Sequence, residues 1–340
     1  MRDPVIGGLP SVSDRKMTVK SNADTLITIY GGSGFIGRHV VRALARRNYR
    51  IRVAVRRPEL AFHLQPLGRV GQIHAVQANL RNAESVEAAA RDADVLINLV
   101  GILAEGGRQR FDTVHTFGAE QVALAAANRG ARMVHVSALG ADVKSPSHYA
   151  RSKAAAEQLV LSAQPQAVIM RPSIVFGPED DFFNRFAALA RISPVLPLIG
   201  GGRTRFQPVF VGDVAEAIAQ AVEGNARAGT IYELGGPEIR TFKELMQYVL
   251  TTIERRRLLV PLPFFFAKLE AAFLQFAPSP FSLTGDQVEL LRADNVVSDA
   301  AKSNGRTLAG LGIEPEPLET IVPSYLWRFR RTGQFRGRTA

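Results

Sequence analysis

Two side chains with helical spacing could transfer a proton. Tyr149 and Lys153 lie four residues apart in the stretch SHYARSKAAAEQ, and residues at this spacing share one face of a helix. The positive charge of a lysine ammonium favours the phenolate form of a neighbouring tyrosine and so lowers its pKa. We therefore predict that Tyr149 acts as a general acid or base, and that Ser137, at the end of the preceding strand, orients a substrate oxygen.

A second group of residues could bind phosphate. Gly31, Gly34 and Gly37 form the pattern G-x-x-G-x-x-G between an apolar strand and an apolar helix. In such a junction the first glycine permits a tight turn, the second lets the backbone approach a pyrophosphate, and the third lets the helix pack on the strand. The first N–H groups of the helix then point at the phosphates. The pattern predicts a bound dinucleotide, whose nicotinamide ribose Lys153 could also hold.

The residues after the second strand indicate which dinucleotide is bound. Proteins that bind NAD usually place Asp or Glu here, where the carboxylate binds the ribose 2′-hydroxyl. This chain instead has Arg56 and Arg57 in the sequence VAVRRPE, and Arg38 directly follows the third glycine. A guanidinium matches a 2′-phosphate in its charge and in its forked donors. We therefore expect NADP(H), with NAD(H) as the less favoured alternative.

Short strands and longer helices alternate from residue 25 to about residue 171, within a first domain predicted over residues 25–176. This alternation is typical of an α/β fold in which helices cover both faces of a parallel sheet. Near-continuous apolar runs such as VLINLV fit strands that are buried on both sides. We therefore predict a Rossmann-type, doubly wound domain. Its expected strands are 25–30, 50–55, 72–77, 94–100, 132–137 and 167–172, and its expected helices are Phe35–Asn48, Ser85–Arg91, Asp112–Arg129 and Tyr149–Ala163.

The rest of the chain is predicted to be less regular. Proline and glycine become frequent after residue 176, so residues 177–327 should form a smaller α/β region on the substrate or partner side, interleaved with the Rossmann core. Three helices are expected in it, over Val214–Glu223, Thr241–Arg255 and Thr320–Arg330. Residues 1–24 are predicted to be a disordered extension, with Met17 as an alternative start, and residues 328–340 to be a basic tail that either keeps the protein soluble or binds a partner.

The composition excludes several classes of function. The chain has no cysteine, so disulfides, thiolate chemistry and cysteine-held zinc or iron–sulfur centres are excluded. Its six histidines show no ligand spacing, and we expect no metal site. The net charge is +11, but basic and aromatic residues do not alternate as they would in a nucleic-acid-binding surface. We therefore expect no nucleic acid partner.

One aromatic and basic stretch allows two interpretations. Leu258–Phe281 is rich in phenylalanine and contains Lys268, and Arg255–Arg257 precede it. Aromatic side chains beside basic ones suit a membrane interface. A helix that covers the core with its aromatic side chains turned inward would have the same composition. The sequence does not separate these alternatives, and prolines and charges interrupt the stretch too often for a membrane span.

Several motifs together resemble the extended or atypical short-chain dehydrogenase/reductase superfamily. They are GGSGFIG, INLVG, HVSALGA, YARSK and RPSIVFGP, between about Leu26 and Val214. The resemblance implies a Rossmann sheet, a nicotinamide cofactor and a C-terminal substrate region. By motif position it also implies four sets of contacts. The pyrophosphate would be contacted by Gly31, Ser33, Gly34, Phe35 and Ile36, and the adenine by Asn79 and Leu80. The ribose side would be contacted by Val100 and Gly101, and the nicotinamide amide by Pro172, Ser173, Ile174 and Val175.

Longer runs, among them RRPELAFHLQPLGRVGQI and RPSIVFGPEDDFFNRFA, resemble a narrower family over about residues 25–325. This family comprises the nucleotide-binding accessory subunits of respiratory complex I, in their bacterial form. The resemblance implies tightly bound, mainly structural NADPH without established turnover. It also implies docking to the peripheral arm of complex I beside the membrane, and hence a cytoplasmic protein that is peripheral on the inner face of the cell membrane.

Two other functions are compatible with the same motifs. The Tyr149–Lys153 pair would suit an active NADP-dependent oxidoreductase or epimerase whose substrate is a small molecule, such as a nucleotide sugar or a quinone precursor. Alternatively, the chain is a peripheral scaffold with a vestigial cofactor site. The sequence after residue 177 has no motif that identifies a substrate.

Overall fold

The strands of the protein are short and mostly apolar. In the computed structural model, which describes residues 20–274 and 283–333, they form one large sheet and three two-stranded pairs. The strands are β1 (Leu26–Tyr30), β2 (Arg50–Val55), β3 (Ile73–Gln77), β4 (Val95–Asn98), β5 (Arg132–Val136), β6 (Val168–Pro172), β7 (Val175–Phe176), β8 (Val195–Ile199), β9 (Arg205–Phe206), β10 (Val209–Phe210), β11 (Ile231–Leu234), β12 (Arg240–Thr241) and β13 (Leu258–Leu262).

The large sheet has seven parallel strands in the order β3-β2-β1-β4-β5-β6-β11. The order reverses between β1 and β4, which is the switch point where dinucleotides bind in doubly wound sheets. Because all the strands are parallel, their carboxyl ends meet at one edge. The predicted Rossmann-type α/β fold is confirmed.

Helices cover both faces of this sheet. Buried side chains of α1 and α6 pack on one face, and those of α2, α3 and α4 pack on the other. The helices are α1 (Phe35–Arg46), α2 (Ala83–Ala90), α3 (Gly118–Arg129), α4 (His148–Ala163), α5 (Phe182–Ile192), α6 (Val211–Glu223), α7 (Phe242–Thr252), α8 (Phe264–Leu274), α9 (Gly285–Leu290), α10 (Asp299–Ser303), α11 (Leu318–Ile321) and α12 (Pro323–Leu326).

A second hydrophobic core lies beyond the sheet. Phenylalanines from α5, α7 and the short strands form much of it, and the rings of Phe176, Phe183 and Phe242 are almost fully buried. Tyr325 of α12 joins this core and donates a hydrogen bond from its hydroxyl to the buried carboxylate of Asp180 at 2.5 Å. The chain also returns to the large sheet, because β11 pairs with β6.

Two predicted helices differ from the structure. The helix expected over Thr320–Arg330 is wrong as a single element: it is divided into α11, α12 and a 3-10 turn over Trp327–Phe329. Pro323 begins α12, and proline has no N–H with which to continue a preceding helix. The helix expected over Asp112–Arg129 begins with π-type hydrogen bonding over Asp112–Phe117 and becomes α-helical only at Gly118.

The described part of Leu258–Phe281 has an inner and an outer side. Ala267 and Ala271 of α8 are buried in a small cluster with Ile199 and Val288. Five apolar side chains of the stretch are instead exposed, with relative exposures between 44% and 73%, and we call this set the exposed apolar face. It consists of Leu258, Val260, Phe265, Phe266 and Leu269. Phe276 and Phe281 lie outside the described residues, as do residues 1–19 and 334–340.

No membrane-crossing helix is found in the part of the chain that the structure describes, since none of its helices combines sufficient length with sufficient apolar character.

Candidate functional site

The glycine loop joins β1 to α1 at the switch point. Gly31 has φ +80°, which side chains other than glycine rarely adopt. A Cβ on Gly37 would lie 2.4 Å from the carbonyl oxygen of Gly31, so the loop and the first turn of α1 are in backbone contact. Gly34 caps α1 without a side-chain hydrogen bond. The first N–H groups of α1 therefore face an open, side-chain-free surface that suits a pyrophosphate.

The remaining residues predicted around the pyrophosphate occupy different environments. Ser33 is half-buried in the turn, Phe35 lies against Gly177, and Ile36 packs on the main core. Arg38 contacts Glu179, with 3.4 Å between the guanidinium and the carboxylate. Arg38 is therefore already paired.

A cleft of about 230 Å³ lies beyond the carboxyl ends of β2 and β3. Arg56 and Asn79, which were predicted to contact the adenosine end of a dinucleotide, line it together with Asn82 and Ser85 at the start of α2. Arg56 is exposed and forms no ion pair or hydrogen bond with any described residue. The cleft thus presents one free guanidinium and several amide and hydroxyl groups to a ligand.

Two residues predicted for the same end do not line this cleft. Arg57 is exposed and is the N-cap residue of the following 3-10 helix, Pro58–Leu67. Leu80 is buried, and its side chain packs under α3. A Cβ added to Gly118, the first residue of α3, would lie 2.9 Å from the Cβ of Leu80.

Lys153 lies beside Gly101, which was predicted to contact the ribose side of the nucleotide. Its ammonium is buried and donates to the Val136 carbonyl oxygen at 3.2 Å. A Cβ on Gly101 would lie 3.3 Å from the Lys153 Nζ, and a Cβ on Gly31 would lie 3.0 Å from the side chain of Val100. The structure therefore brings the glycine loop, Val100, Gly101 and Lys153 together. Burial lowers the pKa of Lys153 to about 8, against an opposing effect of the Glu157 carboxylate.

Tyr149 is one turn before Lys153 on α4. Its ring packs edge-on against Phe111 and His115, with centroids 5.8 and 5.5 Å away. Burial raises the pKa of the Tyr149 phenol to about 12, and the negative charge of Asp286 adds to this rise. The net shift is thus opposite to the lowering expected from Lys153, because desolvation disfavours the phenolate.

Two polar atoms at the end of β5 are buried without a hydrogen-bond partner among the described residues. They are the Ser137 hydroxyl and the His135 Nε2. The Asn98 amide donates to His135 Nδ1 at 3.3 Å, since its oxygen already accepts from the Val100 N–H. Buried polar groups normally have partners, so these two atoms fit a site that is completed by a ligand or by water.

A buried histidine that the sequence did not single out fixes part of this site. His115 Nε2 accepts from the Ile102 N–H at 2.9 Å, so its Nδ1 carries the proton and donates to Ser152 at 2.9 Å. Burial, with the nearby Lys153 charge, lowers the pKa of His115 to about 2. The imidazole is therefore neutral. No spacing signal could have identified it, because its partners lie on two other segments.

The wall predicted for the nicotinamide amide is held by residues from the C-terminal part. Ser173 donates to the Asn295 side-chain oxygen at 2.6 Å, and the Asn295 amide donates to the Leu139 carbonyl at 3.1 Å. Pro172 ends β6 and Val175 begins β7. Ile174, between them, packs on the second core. Asn295 thus connects the ends of β5 and β6 from outside the sheet, which sequence reasoning did not anticipate.

Two relatives match much of the chain. It is 37% identical over 324 residues to the mitochondrial NADH dehydrogenase (ubiquinone) 1 alpha subcomplex subunit 9 of Arabidopsis thaliana, with 92% of this chain and 80% of that protein covered. It is 36% identical over 195 residues to the ceramide reductase of Caulobacter vibrioides, with 57% and 60% covered.

Solved structures and a family model agree with this similarity. The UDP-glucose 4-epimerase of Thermus thermophilus, solved in complex with NAD, superposes with a TM-score of 0.64 at 22% identity, covering 90% of this chain and 99% of the other. The family model "NAD dependent epimerase/dehydratase family" matches residues 27–235. The chain therefore belongs to the NAD dependent epimerase/dehydratase family, as its resemblance to the extended short-chain dehydrogenase/reductases predicted.

Proposed function

We propose that this chain is an accessory subunit of NADH:ubiquinone oxidoreductase, respiratory complex I, and binds NADP(H) as a mainly structural cofactor. The similarity to a subunit of that enzyme over 92% of the chain carries the proposal. The nucleotide would lie across the carboxyl ends of the strands, with its pyrophosphate on the glycine loop. Gly101 and Lys153 would face the nicotinamide ribose.

The adenosine end supports NADP(H). Arg56 lines the cleft beyond β2 and β3 and has no partner among the described residues. Charge-assisted bonds between a guanidinium and a phosphate are among the stronger hydrogen bonds in proteins. A 2′-phosphate would pair with this free charge, whereas the 2′-hydroxyl of NAD(H) would find no carboxylate.

Tyr149 would donate a hydrogen bond beside the bound nucleotide. A tyrosine phenol is protonated at neutral pH, and burial raises the pKa of Tyr149 further, to about 12. Such a donor fits both a structural nucleotide and a reductase, so the structural role rests on the similarity to the complex I subunit.

The exposed apolar face supports docking beside the membrane, on the inner face of the cell membrane and next to the peripheral arm. A cluster of arginines lies nearby. Burial lowers the pKa of Arg255, and the positive charges of Arg257, Arg331 and Arg191 lower it further, which shows that these three side chains are close to Arg255. This basic cluster adjoins Leu258, the first residue of the face. Aromatic and aliphatic side chains beside arginines suit an anionic lipid surface.

We expect the Arg56→Ala substitution to weaken NADPH binding about 10- to 100-fold and to leave NADH binding nearly unchanged. The lost interaction is a charge-assisted hydrogen bond worth about 1.5–3 kcal/mol. Equilibrium titration of the full chain with each nucleotide measures both constants. Arg57→Ala is the matched control, since Arg57 does not line the cleft, and it should bind like the wild type. Equal wild-type affinity for NADPH and NADH would contradict the proposed specificity.

We expect the Phe265→Asp/Phe266→Asp double substitution to reduce recovery of the chain with complex I at least tenfold, because two charges would replace exposed aromatic rings that a lipid or protein surface must cover. Purification of the tagged chain from gently solubilised membranes, followed by mass spectrometry, measures this recovery. The control is Leu60→Asp/Phe62→Asp, which changes two side chains that are 63% and 56% exposed elsewhere. Undiminished recovery of the first variant would exclude this face as the docking surface.

A second function is favoured by the pairing of Tyr149 and Lys153 on α4. As an active NADP-dependent oxidoreductase or epimerase, the chain would act on a small molecule, such as a nucleotide sugar or a quinone precursor. The relative from Caulobacter vibrioides, named a ceramide reductase, supports reductase chemistry. Oxidation of NADPH by the purified chain in the presence of a carbonyl substrate would favour this function, whereas absence of any dinucleotide binding would favour a scaffold.

A further inference from the structure

Two side chains after α8 support the candidate nucleotide site from outside the family-matched region. The match to the family ends at residue 235, whereas Asp286 lies in α9 and Asn295 lies shortly after it. Both belong to the stretch that follows the exposed apolar face. Each contacts residues that were predicted to bind the nicotinamide half of the nucleotide.

Asp286 caps the helix that carries Tyr149 and Lys153. Its carboxylate accepts hydrogen bonds from the Ser147 hydroxyl at 2.8 Å, the His148 N–H at 2.6 Å and the Tyr149 N–H at 3.1 Å. Ser147 is itself the N-cap residue of α4. A negative charge at a helix N-terminus is stabilising, and three acceptor contacts fix the position of the first turn. Tyr149 lies in this turn, and Lys153 lies one turn further.

Asn295 supports the side of the site that was predicted to contact the nicotinamide amide. Its side chain connects Ser173 to Leu139, and its own backbone pairs with Arg205 and Gln207. Together, Asp286 and Asn295 therefore fix the positions of the end of β6, the end of β5 and the start of α4 relative to one another. Within residues 20–274 and 283–333, no hydrogen bond or ion pair joins residues 283–297 to the adenosine cleft.

We propose that Asp286 is a positioning residue of the nucleotide site, which holds the Tyr149–Lys153 face of α4 in place for the nicotinamide half of the dinucleotide. The proposal rests on the proposed binding of NADP(H). Under this proposal, binding of the nicotinamide half depends on residues 283–297. Binding of the pyrophosphate at the glycine loop and of the adenosine end in the cleft lined by Arg56 does not depend on them.

The Asp286→Asn substitution tests this difference between the two ends. Asparagine keeps the shape but loses the charge, and its amide nitrogen cannot accept from the N–H groups of α4. Equilibrium titration of the full chain with NADPH and with 2′,5′-ADP, which lacks the nicotinamide half, gives two dissociation constants. We expect the constant for NADPH to rise about tenfold and the constant for 2′,5′-ADP to stay unchanged. Asp286→Glu, which keeps the charge, should recover much of the NADPH affinity.

Matched variants separate positioning from general loss of structure. Asp299→Asn removes another first-turn carboxylate, in α10, whose side chain is fully exposed, and should bind both ligands like the wild type. If Asp286→Asn unfolds, Ser147→Ala removes one of the three donors and should raise the constant for NADPH alone, by a smaller factor.

Two results would overturn the proposal. Unchanged NADPH affinity in folded Asp286→Asn would show that α4 needs no such support, and equal weakening of both ligands would show a general structural effect. Failure of the wild-type chain to bind either ligand would instead overturn the proposed NADP(H) function, and this proposal with it.

Discussion

Replacing Gly37 with alanine should abolish nucleotide binding and also destabilise the ligand-free chain by about 3 kcal/mol. The new Cβ would lie 2.4 Å from the Gly31 oxygen and 2.6 Å from the Gly32 Cα, and both are backbone atoms that no rotamer change can move. Relief requires α1 to separate from the loop, although Val40, Val41 and Leu44 of α1 are fully buried. Overpacking of this kind typically costs about 1–3 kcal/mol, occasionally more.

Gly34→Ala provides the matched comparison. Gly34 is exposed with φ −74°, and a Cβ there would meet only the Gly31 oxygen, at 3.3 Å. The free energy of unfolding in urea should therefore fall by at most about 1 kcal/mol, the cost of alanine at an N-cap position, while NADPH affinity falls at least tenfold because the methyl group faces the phosphates. Normal NADPH binding by either variant would show that the pyrophosphate does not lie on this loop.

The residues around the glycine loop show why much of the fold could be predicted. The run Leu26–Tyr30 is buried at every position, and a strand buried on both faces has the continuous apolar sequence that was recognised. Gly37 is required by its contact with Gly31, six residues earlier, and Gly31 by its positive φ. The right-handed connection of parallel strands then limits the topologies that such strands can adopt.

Several features of the site could not be predicted because their partners are distant in sequence. Asp286 and Tyr149 are separated by 137 residues, and an aspartate in a polar stretch has no pattern that marks its partner. The pKa of Tyr149 was misjudged for the same reason: its burial depends on the rings of Phe111 and His115, which the spacing of Tyr149 and Lys153 does not reveal.

The orientation of α8 was undetermined for a different reason. Consecutive residues on an α-helix differ by about 100° in direction, so the run Phe264–Phe266 must spread around the helix. The structure places Phe264 over Arg292, with the guanidinium carbon 4.5 Å from the ring centre, and leaves Phe265 and Phe266 exposed. Phe264 therefore packs inward, as the core interpretation expected, whereas Phe265 and Phe266 stay on the surface, and the membrane interpretation remains a prediction.

Replacing Glu157 with leucine should destabilise the chain by about 3–5 kcal/mol, as measured by urea unfolding. Glu157 is buried on α4 and binds Arg171 of β6 through both carboxylate oxygens, at 2.8 and 2.5 Å. Without it, the half-buried guanidinium would keep only Glu233, at 4.0 Å. Removing one partner of a buried ion pair leaves an uncompensated charge, which accounts for this magnitude. A loss below about 1 kcal/mol would contradict it.

The double substitution Glu157→Leu/Arg171→Met shows whether the pair serves stability or the site. Two apolar side chains of similar volume leave no buried charge, and such replacements are often neutral or stabilising, so the double variant should regain most of the stability lost in Glu157→Leu. Its Lys153, however, loses the Glu157 carboxylate that raises its pKa against burial. The pKa of Lys153 should then fall below about 8, and NADPH affinity at pH 8 should remain weakened in a chain of restored stability. Full recovery of both properties would show that the ion pair has no role in the site.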